Sequence, residues 1–278
     1  MAETYMATTN PGLRFRCMAE NIKLLNREFR PTAVSADLGT KRDRIIKQLS
    51  GNPDPYSRSK RTSNERALKL LPKAQRYVDS GNNQQERFKK ACLCAIVGNT
   101  MEFDIPGHTF TSQTLAKNLK EAAKDLYIDD IDQAYELAKK ANSTLFLSDN
   151  AGEIVFDTLL VEQLKNMGLA VIYVVKGGPV LNDATMEDVP FSGMDKLADE
   201  VLTTGTDAVG LQRTQVSAEF LKIYDAAELV FAKGMGYAET LTEYNLTKPH
   251  FLMLRTKCIP VANYFYAPKE KNIAKLMP

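Results

Sequence analysis

Histidine is scarce in this chain, with only His108 and His250 in 278 residues. Neither belongs to an HExxH-type pair, so any metal site has to be built mainly from oxygen ligands. Cysteine is also sparse, with four residues: Cys17, Cys92, Cys94 and Cys258. Cys92 and Cys94 stand two apart within "RFKKACLCAIVGN", a helical stretch that aims them at different faces. No second pair has zinc-ligand spacing, which argues against a structural zinc site. A signal peptide and long apolar runs are both missing, so the expected address is a reducing cytoplasm with free thiols, away from membranes. Net charge is nearly absent as well, with Lys+Arg 36 against Asp+Glu 34. The basic clusters "GTKRDRIIKQLS" and "YSRSKRTSNERALKLLPKAQR" carry no interleaved aromatics and no nucleic-acid motif. They read as solvated helix faces, with a weak anion-binding surface as the alternative. Internal repeats and low-complexity segments are lacking too.

A hydrophobic fraction of 44% supports a substantial core, and two halves read differently. In the first, apolar residues recur at helical spacing. "AENIKLLNREF" places Ile22, Leu24 and Leu25 on one face, and "DRIIKQLS", "ERALKLLPKAQRYV" and "QQERFKKACLCAIVGNTMEF" repeat the theme. The breaker-rich "SGNPDPYSRS" separates them. In the second half, helices expected at "SQTLAKNLKEAAKDL" and "IDQAYELAKKA" lead into alternating strands and helices. "STLFLSDN", "LAVIYVVKG", "ADEVLTTG", "AELVFAKG" and "PHFLMLRTK" are apolar runs, most of them ending in polar or glycine turns. This pattern predicts right-handed βαβ units and a mainly parallel sheet. The expected architecture is an N-terminal helical bundle over residues 1–105, followed over 106–278 by a Rossmann-like three-layer α/β/α domain.

In an open α/β sheet, ligands bind at the carboxyl ends of the strands. Here those ends read Asp149-Asn150, Lys176-Gly177-Gly178, Thr203-Thr204-Gly205, Lys233-Gly234 and Arg255-Thr256-Lys257. Asp149 and Asn150 precede a helix, and one of them is explained by N-capping, with Glu153 completing a capping-box-like arrangement. About one βαβ unit later, "VVKGGPVLNDATMEDV" repeats the amide–carboxylate pair at Asn182-Asp183. Two consecutive loops can thus each deliver a carboxylate to one crevice, a set suited to Mg²⁺ or Mn²⁺; capping and turn roles are the competing account. Lys233, Gly234, Gly236 and Glu239 in "VFAKGMGYAETL" suit close approach to a phosphate, although glycine turns after strands are common. Lys257 falls in the same register. Gly98-Asn99 interrupts a helix, which implies a conformational break or a polar contact. Asp104 ends that helix, and His108 is either a base or a structural loop residue.

Taken together, "SDNAGEIVFD", "KGGPVLNDATMED", "AKGMGYAE" and "RTKCIPVA", preceded by "VGNTMEFD", resemble the damage-control phosphatase family. The family is also catalogued as domain of unknown function eighty-nine and as the acidic-residue-methyltransferase-like metal-binding fold. The motifs match in order and spacing over roughly residues 90–263, and in length the chain is similar to the short archaeal and bacterial-type branch. The resemblance implies a divalent-metal-dependent phosphatase acting on small phosphorylated metabolites, sugar phosphates or damaged ones among them. It implies Asp149, Asn150 and Asp183 as ligands of a metal (Mn, Co, Ni or Mg) and as catalytic groups together with Lys257. Asn99, Glu153, Asn182, Lys233, Gly234, Gly236 and Glu239 would line the substrate pocket of a monomer or small homo-oligomer. Two positions depart from the family pattern: only Cys17 stands where some relatives carry an N-terminal CxxC, and Tyr237 stands where the glycine turn often continues with Asn. The competing classes are a carboxyl methyltransferase, weakened by the lack of a GxGxG-like loop after the first strand, and a non-catalytic binder of a phosphorylated ligand.

Overall fold

The computed structural model describes residues 2–100 and 112–278, without the side chains at 99, 100 and 112–114. Five helices open the chain: α1 (Ala2–Ala7), α2 (Pro11–Glu28), α3 (Ser35–Ser50), α4 (Ser57–Asp79) and α5 (Gln84–Thr100). After α6 (Ser112–Lys124), β1 (Leu126–Asp129), α7 (Ile131–Ala138) and β2 (Ser143–Leu147), the chain alternates through α8 (Glu153–Asn166) and β3 (Ala170–Val175). Two single-turn helices, α9 (Val189–Ser192) and α10 (Met194–Leu197), precede β4 (Glu200–Thr203). The remainder is α11 (Ala218–Ala226), β5 (Val230–Lys233), α12 (Gly234–Leu241), β6 (His250–Arg255), α13 (Ile259–Tyr264) and β7 (Asn272–Met277).

The seven strands form one sheet in the order β1-β7-β6-β5-β2-β3-β4. Every neighbouring pair is parallel except β6 and β7. The chain runs from β2 outward to β3 and β4, then crosses back to place β5 on the other side of β2. The order therefore reverses at β2, and the crevice between the carboxyl ends of β2 and β5 is the switch point where such sheets bind ligands.

Strands β2, β3, β5 and β6 are covered on both faces, so their side chains are apolar almost throughout, as parallel sheets require. One face carries a row of aromatics across four strands. Phe146 stacks on Tyr173 at 5.2 Å and on Phe231 at 6.0 Å, and Phe231 meets Phe251 edge-on at 5.4 Å. Helices α5 and α8 cover this face, and Phe88 of α5 lies 6.3 Å from Phe231. The opposite face, with Leu145, Val174, Ala232 and Leu252, packs against α11, α12 and α13. The main core thus crosses the boundary expected near residue 105, since Phe88, Ala91 and Ile96 share it with Phe146 and Phe231.

Two departures from the sequence expectation stand out. The sequence pattern does not signal β1 or β7. β1 is only four residues long with alternating burial, and β7 contains Asn272 and Lys275, so neither shows a continuous apolar run. The face predicted for α2 also divides: Leu24 is buried, whereas Ile22 is 67% exposed and Leu25 is 45% exposed. Among the described residues, no helix is long and apolar enough to cross a membrane.

Candidate active site

At the end of β2 the chain continues in the strand direction for one more residue. Ser148 bonds Val174 O through both its N–H (3.0 Å) and its hydroxyl (2.7 Å). Asp149-Asn150-Ala151 then pairs with the loop that follows β3. Ala184 N donates to Asp149 O at 2.8 Å, Ala151 N donates to Asn182 O at 2.9 Å, and Asn150 and Asp183 form an antiparallel bridge. Lys176 and Thr185 make a second, parallel bridge. These backbone bonds fix Asp149 and Asp183, from two consecutive loops, on one cavity.

Helix α8 starts at Glu153 with Gly152 as its N-cap, at φ 82°, and no side chain caps it. Capping by Asp149 or Asn150 is therefore not realised, and neither is a capping box. The Gly152 N–H is instead held by Asn64 Oδ1 of α4 at 2.6 Å, while Asn64 Nδ2 donates to Asp188 at 2.9 Å. The Asn150 amide nitrogen turns to carboxylates, reaching Glu153 Oε1 at 2.6 Å and Asp149 Oδ2 at 3.1 Å.

The cavity over this edge has a volume of about 360 Å³. Of the anticipated site residues, Asp149, Asn150, Asn182, Asp183, Gly236, Glu239 and Lys257 line it. Glu153 and Lys233 do not. Lys233 is fully buried beneath the crevice, with its ammonium 3.0 Å from Glu153 Oε2 and 2.7 Å from Asp157 Oδ1. Gly234 sets the crevice width: at φ 84°, a Cβ built there would stand 1.9 Å from Asp149 Oδ2. The Asn99 side chain, Asp104 and His108 lie outside the described residues.

Four cavity residues come from α3, which sequence patterning left in the helical bundle: Ser35, Ala36, Gly39 and Arg42. Ser35 Oγ donates to Glu239 at 2.6 Å, joining α3 to α12 across the cavity mouth. No motif signals Ser35 or Arg42. Their seven-residue spacing on α3 is the sole cue, and it requires knowing what α3 packs against. Tyr237, a departure from the family pattern in sequence, also lines the cavity, with Lys176 from the end of β3 against its ring. Lys176 is fully buried, donates to Ala208 O (3.0 Å) and Gly210 O (2.8 Å), and lies 3.7 Å from Asp183 Oδ2.

The site concentrates negative charge away from water. Burial, reinforced by Glu153 and Asp183, pushes the Asp149 carboxyl well above its ordinary range against the pull of Lys233 and Lys257. Burial likewise lifts Asp183 to about 6, with Lys176 opposing. Burial also lowers Lys176, with Asp183 and Asp149 acting the other way. Among the described residues, no group of three or more His, Cys, Asp or Glu is arranged to hold a metal. Among the cavity residues, Asp149, Asp183 and Asn150 offer two carboxylates and one amide, oxygen donors that suit a hard divalent cation. Such a cation would favour the charged form of both acids against the burial that raises them.

The chain matches the model of the damage-control phosphatase ARMT1-like domain over residues 3–273. It is 34% identical to a damage-control phosphatase of Archaeoglobus fulgidus, over 99% of this chain and 94% of that protein. A damage-control phosphatase of Pyrococcus horikoshii is 35% identical, with 95% and 89% coverage. The crystal structure of a DUF89 family protein from Pyrococcus horikoshii superposes with a TM-score of 0.88 at 33% identity, covering 98% of this chain and 93% of that one.

Proposed function

Since the chain belongs to the damage-control phosphatase ARMT1-like family, we propose that it hydrolyses small phosphorylated metabolites with a divalent metal ion held by Asp149, Asn150 and Asp183. One observation carries this reading. The Asn150–Asp183 bridge brings two carboxylates from consecutive strand-end loops onto a single cavity, which Lys257 and Arg42 also line. A divalent ion bound there would supply Lewis-acid polarisation of a phosphoryl oxygen.

The protein's own groups carry the rest. Lys257 and Arg42 attract the phosphate dianion and stabilise charge on its oxygens, which matters most in a partly enclosed site. Asn182 and the Ser35–Glu239 pair offer donors and acceptors to hydroxyls on the substrate body, which fits a sugar phosphate. Asn150, by donating to both Asp149 and Glu153, holds the Asp149 carboxylate in one orientation. Lys233 works from behind the cavity: its one ammonium pairs with both Glu153 and Asp157, which lets the first turns of α8 carry two buried acids next to Asp149. The attacking group is water or the Asp149 carboxylate, and a phosphoenzyme caught by rapid quench would assign it to Asp149.

The experiment is phosphate release from a panel of sugar phosphates with Mn²⁺, Co²⁺, Ni²⁺ and Mg²⁺. Activity is expected to vanish on chelation and return when metal is restored. Asp183→Ala should abolish it while leaving the circular dichroism spectrum unchanged, because Asp183 sits on a loop rather than in the core. Near-normal turnover by that variant would remove Asp183 from the metal site.

A further inference from the structure

Tyr237 sits in the first turns of α12 and lines the cavity, yet the side chain is only 2% exposed. Its hydroxyl is buried and has no hydrogen-bond partner among the described residues. A buried phenol without a partner is costly and rare in protein interiors. The ring is well accounted for: it packs in the core with Ala238 and Leu241, and the Lys176 ammonium lies 4.7 Å from its centroid. A phenylalanine would supply the same apolar surface without the orphaned hydroxyl, so packing explains the ring and not the oxygen.

What surrounds that oxygen decides its use. The Lys176 ammonium cannot accept a hydrogen bond, and it is occupied by Ala208 O, Gly210 O and Asp183. A phenol is an O–H donor, and burial, with Asp183 and Asp149 adding to it, disfavours the phenolate. The hydroxyl is a donor that lacks an acceptor among the described residues. A phosphoryl group supplies three strong acceptor oxygens.

We propose that the Tyr237 hydroxyl is a substrate-positioning donor, completed by a phosphoryl oxygen when the ligand seats beside Asp149, Asp183 and Lys257. This assignment rests on the phosphatase reading for its ligand, but it can be tested through binding alone. It makes Tyr237 part of the phosphate-orienting set, with the Lys176 cation holding the ring in place from the other side. Gly236, the residue before Tyr237, is packed closely on Gly210, where a Cβ at φ 65° would stand 2.2 Å from Gly236 O.

Tyr237→Phe in the full chain separates a ligand role from a structural one. Three quantities are measured: the melting temperature without metal or phosphate, orthophosphate affinity by calorimetry in the presence of Mn²⁺, and turnover of 4-nitrophenyl phosphate. The expected result is an unchanged or higher melting temperature, about tenfold weaker orthophosphate binding, and kcat/KM lowered at least tenfold. Equal orthophosphate affinity in the variant and the parent would overturn the proposal. So would a melting temperature several degrees lower, which would show that the hydroxyl already has a structural partner, and so would a parent protein that binds no orthophosphate. If the parent binds orthophosphate and hydrolyses no ester, the phosphatase reading fails while the calorimetric comparison still decides the role of Tyr237.

Discussion

Asp149 and Gly234 meet across the crevice between β2 and β5, so closely that the smallest side chain at position 234 would overlap the Asp149 carboxylate, with Cβ to Oδ2 at 1.9 Å. Glycine is required there twice over, by this approach and by the positive φ of 84°. Gly234→Ala should therefore displace Asp149 rather than unfold the protein. A displacement on the order of 1 Å in a reacting constellation costs about 10²-fold in rate, and the backbone strain adds about 1–2 kcal/mol of lost stability. Phosphatase assays paired with chemical denaturation read both effects. A variant with normal turnover would show that Asp149 is free to relocate.

Lys233 presents the opposite case, with a large effect expected on stability. It is the shared partner of Glu153 and Asp157 in a fully buried cluster, and the two carboxylates hold its ammonium charged well beyond the ordinary lysine range. Burial lifts Asp157 to about 6 against the attraction of Lys233. Lys233→Met would strand two acids in the core, and removing one partner of a buried pair costs about 3–5 kcal/mol. Urea denaturation at pH 7 checks the figure. The double variant Lys233→Met/Asp157→Leu should recover part of the loss, since Asp157 is then no longer stranded.

Glu3 gives a pH dependence remote from the cavity carboxylates. Burial, a hydrogen bond with Asp43 and the charge of Asp43 lift its carboxyl to about 7, although Arg42 at 3.5 Å pulls it down. The native state then holds a proton that the unfolded chain releases near pH 4.5. The corresponding stability is fully present below about pH 4.5 and disappears as pH rises through about 7. Glu3→Gln, which cannot ionise, should match the parent at pH 5 and exceed it at pH 8.5 by about 1–3 kcal/mol. Melting curves of metal-free protein at both pH values test this, and a gap that does not change with pH would discard it.

The sequence made the central strands and their terminal turns readable because they are buried on both faces. "STLFLSDN", "LAVIYVVKG" and "VFAKG" must be apolar until the sheet ends, so each polar or glycine residue marks a carboxyl end. The pairing of Asp149 with Asp183 followed from that register. β1 and β7 escaped notice because "LYID" is half exposed and "NIAKLM" carries polar residues, so their strand character comes from their neighbours rather than from a pattern of their own. The α3 wall escaped for a related reason: Ser35 and Arg42 are ordinary helix-surface residues until α3 docks on α12. Lys233 shows the limit of reading by register. The alternation that put Lys176 beside the cavity carboxylates buried Lys233 under α8, where Glu153 and Asp157 occupy its charge.

The antiparallel pairing of β6 and β7 bears on how the chain is made. β7 bonds to β6 on one side and is the strand paired with β1 on the other; the Leu276 N–H reaches Asp130, 146 residues earlier in the chain. At translation rates of about 5–20 residues per second, β1 leaves the ribosome on the order of 10 s before the strand it pairs with. A nascent chain must keep that backbone from other partners throughout the wait. Its short length and the charged Asp129 and Asp130 at its end serve that purpose, since brief, charged edges resist pairing with neighbouring chains.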